Sequence, residues 1–136
     1  MGRLVRLAWA SPTSLIGILL LPFFRSRWVT RGIILAEGAN WPRRLGWRYR
    51  AITFGHVVLA VDELDDATLT HELAHVRQYE RVGPLYAPLY VLASLWALIR
   101  GRHFYRDNWF EVAARRASEQ AHPPGPSLGK GTSPPA

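Results

Sequence analysis

Two histidines four residues apart, with a glutamate between them, form the clearest chemical pattern in this sequence: His71-Glu72-Leu73-Ala74-His75. On a helix, residues at i and i+4 lie on one face about one turn apart, so both imidazoles can bind the same metal ion. Glu72 is rotated by about 100° from His71, close enough to accept a proton from a water on the metal. The pattern therefore predicts one zinc ion, with His71 and His75 as ligands and Glu72 as general base.

A catalytic zinc site usually has three protein ligands and a water, so a third ligand must come from elsewhere in the chain. Cysteine is absent, and no histidine follows His75 before Gly83. The remaining candidates are Glu111, Glu119, His56, His103 and Asp107. We favour Glu111, because it lies one turn inside a later helix that can pack antiparallel against the histidine helix. His56, on the preceding strand, is the alternative ligand.

Glu111 also has a competing structural role. Asn108-Trp109-Phe110-Glu111 has the form of a capping box, in which Asn108 caps the helix and Glu111 bonds back to the amide of Asn108. One side chain cannot serve both roles, and the sequence leaves both open.

The segment His71-Glu72-Leu73-Ala74-His75-Val76-Arg77-Gln78, with a helical Glu111 36 positions after His75, resembles the gluzincin group of zinc metallopeptidases, particularly its minimal, single-domain members. The resemblance covers about residues 50–117. It implies an HExxH active-site helix, a glutamate helix packed against it, and a small sheet whose edge strand aligns an extended peptide substrate. It also implies that His71, His75 and Glu111 hold the zinc while Glu72 acts as general base.

Enzymes of this group use a Tyr or His to stabilise the transition-state oxyanion. The candidates for this role, or for orienting a ligand, are Gln78, Tyr79, Tyr86, His103 and Tyr105. Activity is expected to be peptide-bond hydrolysis on a peptide or protein substrate. The alternative is a non-catalytic, membrane-associated binding or assembly module, in which the same zinc ligands only join helices.

The elements that must position these residues follow from local sequence patterns. Residues 28–38 and 47–61 are rich in β-branched and aromatic residues, which predicts strands in a small antiparallel sheet. An acidic segment, residues 62–66, supplies an N-cap for a helix from about Ala67 to about Arg81, which Gly83-Pro84 ends.

The C-terminal part of the chain is predicted to contain a polar loop over residues 100–107 and a last helix from about Trp109 to Gln120. The expected fold class is α+β. Residues 28–121 form the metallopeptidase-like domain, and residues 122–136, with five Pro and three Gly, form a disordered tail.

The composition and two apolar segments predict that the protein associates with a membrane. The net charge is +7 and hydrophobic residues make up 49% of the chain, yet no nucleic-acid module signature accompanies the basic residues, so nucleic acid is an unlikely partner. Residues 1–27 and 82–99 are apolar segments flanked by arginine, with helix expected at the N-terminus and over 84–99. No cleavage site follows the first segment, because Arg25-Ser26-Arg27 comes next, so we do not expect a cleaved signal peptide. The protein is expected to be membrane-associated or cytoplasmic.

Overall fold

The computed structural model describes residues 2–39, 41–46 and 48–123. Its helices are α1 (Arg3–Leu20), the short α2 (Trp41–Arg44), α3 (Asp66–Val82), α4 (Tyr86–Ile99) and α5 (Trp109–Ala121). Its strands are β1 (Ser26–Thr30), β2 (Ile33–Glu37), β3 (Ala51–Phe54) and β4 (Val57–Ala60). Single 3-10 turns, Leu21–Phe23 and Gly83–Leu85, follow α1 and α3. The α+β class is confirmed, and the predicted tail from residue 124 onward lies outside the described residues.

The sheet is mixed, so the prediction of an antiparallel sheet was wrong. Its strand order is β1-β2-β4-β3, with antiparallel outer pairs and a parallel central pair, β2 with β4. Each predicted strand segment forms a tight hairpin, turning at Arg31-Gly32 and at Gly55-His56. The second strand of each hairpin is the more buried one, so these two strands pair in the centre, where they run in the same direction.

Helices cover both faces of this sheet. On one face, Leu69 and Val76 of α3 pack with Ile33, Leu35 and Val58. On the other face, the turn after α1 packs with Ala36, Val57 and Leu59. A Cβ atom at Gly17 would lie 2.6 Å from the Cβ of Val57, which shows how closely α1 approaches β4. The N-terminal segment therefore contributes to the same core as the rest of the fold.

Helices α3 and α5 run antiparallel and in contact. Gln78, near the end of α3, bonds to the carbonyl of Phe110 at the start of α5, while Ser118 bonds to the carbonyl of Ala67 at the start of α3. Helix α3 begins at the N-cap Asp65, whose Oδ1 accepts from Thr68 N at 2.7 Å, and ends at Gly83 with φ of 58°. Both ends agree with the predicted signals.

Helices α1 and α4 leave large apolar side chains exposed to solvent. The stretches Arg3–Phe23 and Asp66–Ile99 are long and apolar enough to cross a membrane by length and composition alone. Little of the most apolar window of either stretch is buried. Core helices of soluble proteins and signal sequences can be equally long and apolar. The two stretches are therefore compatible with the predicted membrane association.

Candidate metal centre

His71, His75 and Glu111 come together where α5 packs against α3. Their donor atoms all lie within 4.8 Å of one another. The two Nε2 atoms are 3.2 Å apart, His71 Nε2 is 3.3 Å from Glu111 Oε2, and His75 Nε2 is 3.5 Å from Glu111 Oε1. The antiparallel packing of two helices thus brings a side chain 36 positions downstream onto the histidine face of α3.

These separations fit a metal ion. Two ligand atoms arranged tetrahedrally at ~2.1 Å from a zinc ion are about 3.4 Å apart, close to the 3.2 Å between the two Nε2 atoms. Glu111 is only 3% exposed, and its Oε2 is buried without a hydrogen bond in the described part of the chain. His71 Nε2 lies 3.3 Å from this oxygen, and a cation beside the carboxylate would offset the cost of burying it.

The electrostatics of the cluster agree with this reading. Burial raises the pKa of Glu111, but the adjacent His71 and His75 outweigh burial and hold that pKa well below its usual value. Burial lowers the pKa of His75, and Glu111 more than offsets it, so the net pKa of His75 is raised. In the metal-free protein, Glu111 therefore attracts a proton to the position where a metal ion would bind.

The competing capping role of Glu111 is not realised. Asn108 does cap α5, since its Oδ1 accepts from Phe110 N at 2.9 Å. Glu111 instead directs its carboxylate toward the two histidines and accepts a hydrogen bond from the Tyr90 hydroxyl at 2.8 Å. The amide of Asn108 bonds to the carbonyl of Tyr105 rather than to Glu111.

Gln78 fixes the orientation and tautomer of His75. Its Nε2 donates to Phe110 O at 3.0 Å, so its Oε1 faces His75 Nδ1 at 2.9 Å. Because this oxygen can only accept, Nδ1 carries the hydrogen and Nε2 keeps a lone pair directed at the cluster. The Tyr86 hydroxyl also lies 3.0 Å from His75 Nδ1. Gln78, a predicted supporting residue, and Tyr86, a predicted candidate for stabilising the oxyanion, therefore both contact the side of His75 that faces away from the cluster.

Glu72 projects from α3 toward the sheet, beside the cluster. It is 6% exposed, and Thr53 Oγ1 on β3 donates to its Oε2 at 2.7 Å. The two side chains line a cavity of about 340 Å³ together with His75 and Glu111. Since β3 is an edge strand, its unpaired side forms one wall of this cavity.

Tyrosine hydroxyls supply much of the remaining polar lining. Tyr79, Tyr86, Tyr90 and Tyr105 all line the cavity. Burial raises the pKa of Tyr105, and the nearby Glu111 raises it further, so the hydroxyl stays protonated and available as a donor. Tyr79 stacks against Tyr86 with ring centroids 4.0 Å apart, in the aromatic cluster between α3 and α4.

The other candidate residues lie elsewhere. His56 pairs with Glu80, Nε2 to Oε1 at 3.1 Å, in the turn between β3 and β4. His103 stacks on Phe104 and accepts from the amides of Tyr105 and Arg106, so it organises the loop before α5. Asp107 accepts from the amide of His103, and Glu119 is exposed on α5. None of these four joins the metal cluster in the described structure.

Sequence reasoning missed three residues that support the site. Thr53 bonds to Glu72, Tyr90 bonds to Glu111, and Asn108, which is fully buried, donates to the carbonyl of Tyr90 and to Ser94 Oγ. The i, i+4 spacing of Tyr86 and Tyr90 was a usable signal, since it places both hydroxyls on one face of α4. Thr53 is a polar residue alternating with Ile52 and Phe54, which indicates that it faces the opposite side of β3.

Comparison with known proteins found no match among family models, curated proteins or solved structures.

Proposed function

We propose that this protein is a zinc-dependent, gluzincin-like hydrolase that cleaves peptide bonds, with His71, His75 and Glu111 holding one zinc ion. The observation that carries the proposal is the convergence of three side chains whose donor atoms all lie within 4.8 Å of one another, one of them a carboxylate that is only 3% exposed. An HExxH helix with a buried glutamate beside the histidines is the arrangement that metal-assisted hydrolysis requires.

Zinc held by these side chains would supply Lewis acidity toward a water molecule and toward the carbonyl oxygen of the substrate. Glu72 takes the proton of the attacking water as the new C–O bond forms. It then passes this proton to the amine nitrogen as the C–N bond breaks. The hydrogen bond from Thr53 holds the Glu72 carboxylate in place for both transfers.

The surroundings of the cluster favour an extended polypeptide as substrate. The unpaired side of β3 can bond to a peptide backbone in the manner of an added strand, which would lead the chain past Glu72. Tyr105, whose protonated hydroxyl borders the same cavity, is our candidate for stabilising the oxyanion.

The test is the variant Glu72→Gln. Zinc per chain and hydrolysis of a mixed fluorogenic peptide library are measured for wild type, Glu72→Gln and the exposed control Glu63→Gln. We expect Glu72→Gln to retain zinc and to lose about 10²-fold or more in turnover, since it keeps the shape of the side chain but not its basicity. The control should match wild type in both measurements.

Two results would contradict the proposal in different ways. Zinc bound with no difference in turnover between wild type and Glu72→Gln would leave the non-catalytic module, in which the ion only joins α3 to α5. Absence of zinc from both wild type and Glu72→Gln, with His75→Ala unchanged in stability, would remove the metal site itself.

A further inference from the structure

A second cavity, of about 370 Å³, lies where α4 ends and α5 begins. It shares no lining residue with the cavity beside the metal cluster. Arginine and tryptophan dominate its walls: Trp96, Arg100, Arg102, Trp109 and Arg116. A concave surface of this composition is suited to an anionic group.

The arginines of this cavity are free to bind a ligand. Within the described residues, none of Arg100, Arg102 and Arg116 forms an ion pair with a carboxylate, whereas four other arginines do: Arg6, Arg31, Arg43 and Arg50. Arg100 lies over the ring of Trp96, 4.7 Å from guanidinium carbon to ring centroid. Asp107 lines the same cavity, but its Oδ2 accepts from the amide of His103.

The cavity lies at the end of an apolar surface. Leu92, Leu95, Leu98 and Ile99 of α4 are exposed, Ile99 by 78%. Exposed leucine and isoleucine along one helix, ending in arginine and tryptophan, is the pattern of a helix in a membrane interface. A contiguous exposed apolar patch of this kind marks an interaction surface.

We propose that this arginine pocket binds the headgroup phosphate of an anionic phospholipid while the exposed face of α4 lies among the acyl chains. Helix α4 has 14 residues and is therefore about 21 Å long, too short to cross a hydrocarbon core of ~30 Å, so it docks on one leaflet. Trp96 and Trp109 lie beside the headgroup, at the depth that tryptophan prefers. This inference does not depend on the proposed function.

A lipid is favoured over a nucleic acid, whose phosphates would also suit arginine. Nucleic acid would leave the leucine and isoleucine side chains of α4 in water, whereas a bilayer covers them. The neighbouring helix extends the same surface, because the indole of Trp9 on α1, itself partly exposed, packs against Gly83 just before α4.

The test compares two triple variants of the full chain that carry the same net charge. The pocket variant is Arg100→Gln/Arg102→Gln/Arg116→Gln, and the control is Arg44→Gln/Arg48→Gln/Arg77→Gln, three exposed arginines with no ion pair in the described residues. Binding is measured by flotation with vesicles of phosphatidylcholine alone and with vesicles that also contain phosphatidylglycerol. Thermal melting checks that both variants fold.

We expect wild type and the control to bind the anionic vesicles, and the pocket variant to bind about 100-fold more weakly, since each of the three arginines at the membrane surface contributes about fivefold. An equal loss in the two variants would overturn the proposal, because the effect would then be general attraction of a basic protein. Absence of vesicle binding by wild type would overturn it too. So would tighter binding of wild type to a single-stranded oligonucleotide than to anionic vesicles.

Discussion

The two cavities of this protein hold their charged groups in opposite ways. Beside the metal cluster, three of the four functional side chains have a partner that fixes them: Gln78 for His75, Tyr90 for Glu111 and Thr53 for Glu72. At the end of α4, the arginines are exposed and have no carboxylate partner in the described structure. A buried, preorganised site suits a small ion with strict geometry, whereas long exposed cations suit a soft and variable anionic surface.

Glu111→Gln should give the largest effect and should act on the first cavity alone. An anionic oxygen donor is replaced by a weak neutral one, so we expect zinc affinity to fall by well over tenfold and the zinc-dependent rise in melting temperature to shrink with it. Titration calorimetry and melting curves at several zinc concentrations measure this. Glu119→Gln, exposed on the same helix, is the matched control.

The same variant tests whether the cavities are independent. Binding of Glu111→Gln to anionic vesicles should equal that of wild type. An unchanged zinc shift in Glu111→Gln would remove Glu111 from the metal site, and a parallel loss of vesicle binding would show that the two regions are coupled.

Gln78→Leu tests how much the fixed orientation of His75 matters to the first cavity. It removes the side chain that bonds to His75 Nδ1 and leaves all three proposed zinc ligands in place. His75 would lose the acceptor that keeps the hydrogen on Nδ1, and we expect zinc affinity to fall by about 10- to 100-fold. Arg77→Gln, on the exposed side of α3, should leave it unchanged. Equal zinc affinity in Gln78→Leu and wild type would show that the Gln78 contact is incidental to metal binding.

Asp65→Ala should give the smallest effect, since Asp65 lies in neither cavity; it caps the helix that carries the histidines and forms an exposed ion pair with Arg50. We expect a loss of about 1 kcal/mol in the free energy of unfolding of the metal-free protein. Hydrogen bonds from Thr68, together with Arg50, lower the pKa of Asp65 from 3.8 to about 2 in the folded protein. The stabilisation that ionised Asp65 provides is therefore complete at pH values above 3.8, its pKa in the unfolded chain, and is lost as the pH falls toward about 2.

Urea unfolding of wild type and Asp65→Ala across this acidic range measures the difference. The gap between the two proteins should narrow on acidification. A gap that stays constant or widens as the pH falls would contradict the assignment of the low pKa to the cap.

Features that depend on a single helix were predictable from the sequence. The bounds of α3 followed within a residue or so from the acidic segment 62–66 and from Gly83-Pro84, and the common face of His71 and His75 followed from helical spacing. The choice of Glu111 as third ligand assumed that its helix packs antiparallel against the histidine helix. The structure has this packing and places the Glu111 carboxylate beside both histidines.

Long-range arrangement was less predictable. The order of the strands depends on which strand of each hairpin is more deeply buried, and alternation within a single strand does not reveal this. The bonds from Thr53 to Glu72 and from Tyr90 to Glu111 join elements that are separate in sequence. They depend on the packing of β3 and α4 on their neighbours, which residue spacing cannot give.

The contact between Trp9 and Gly83 has a consequence for how the protein is made. A Cβ atom at Gly83 would overlap the Trp9 indole, so α1 and the start of α4 depend on each other for their final positions. The two residues are 74 positions apart. At ~5–20 residues per second, a ribosome needs about 4 to 15 s to add the second after the first. For that interval Trp9 lacks the glycine it packs against, although β4 is made before the interval ends and can contact α1 near Gly17.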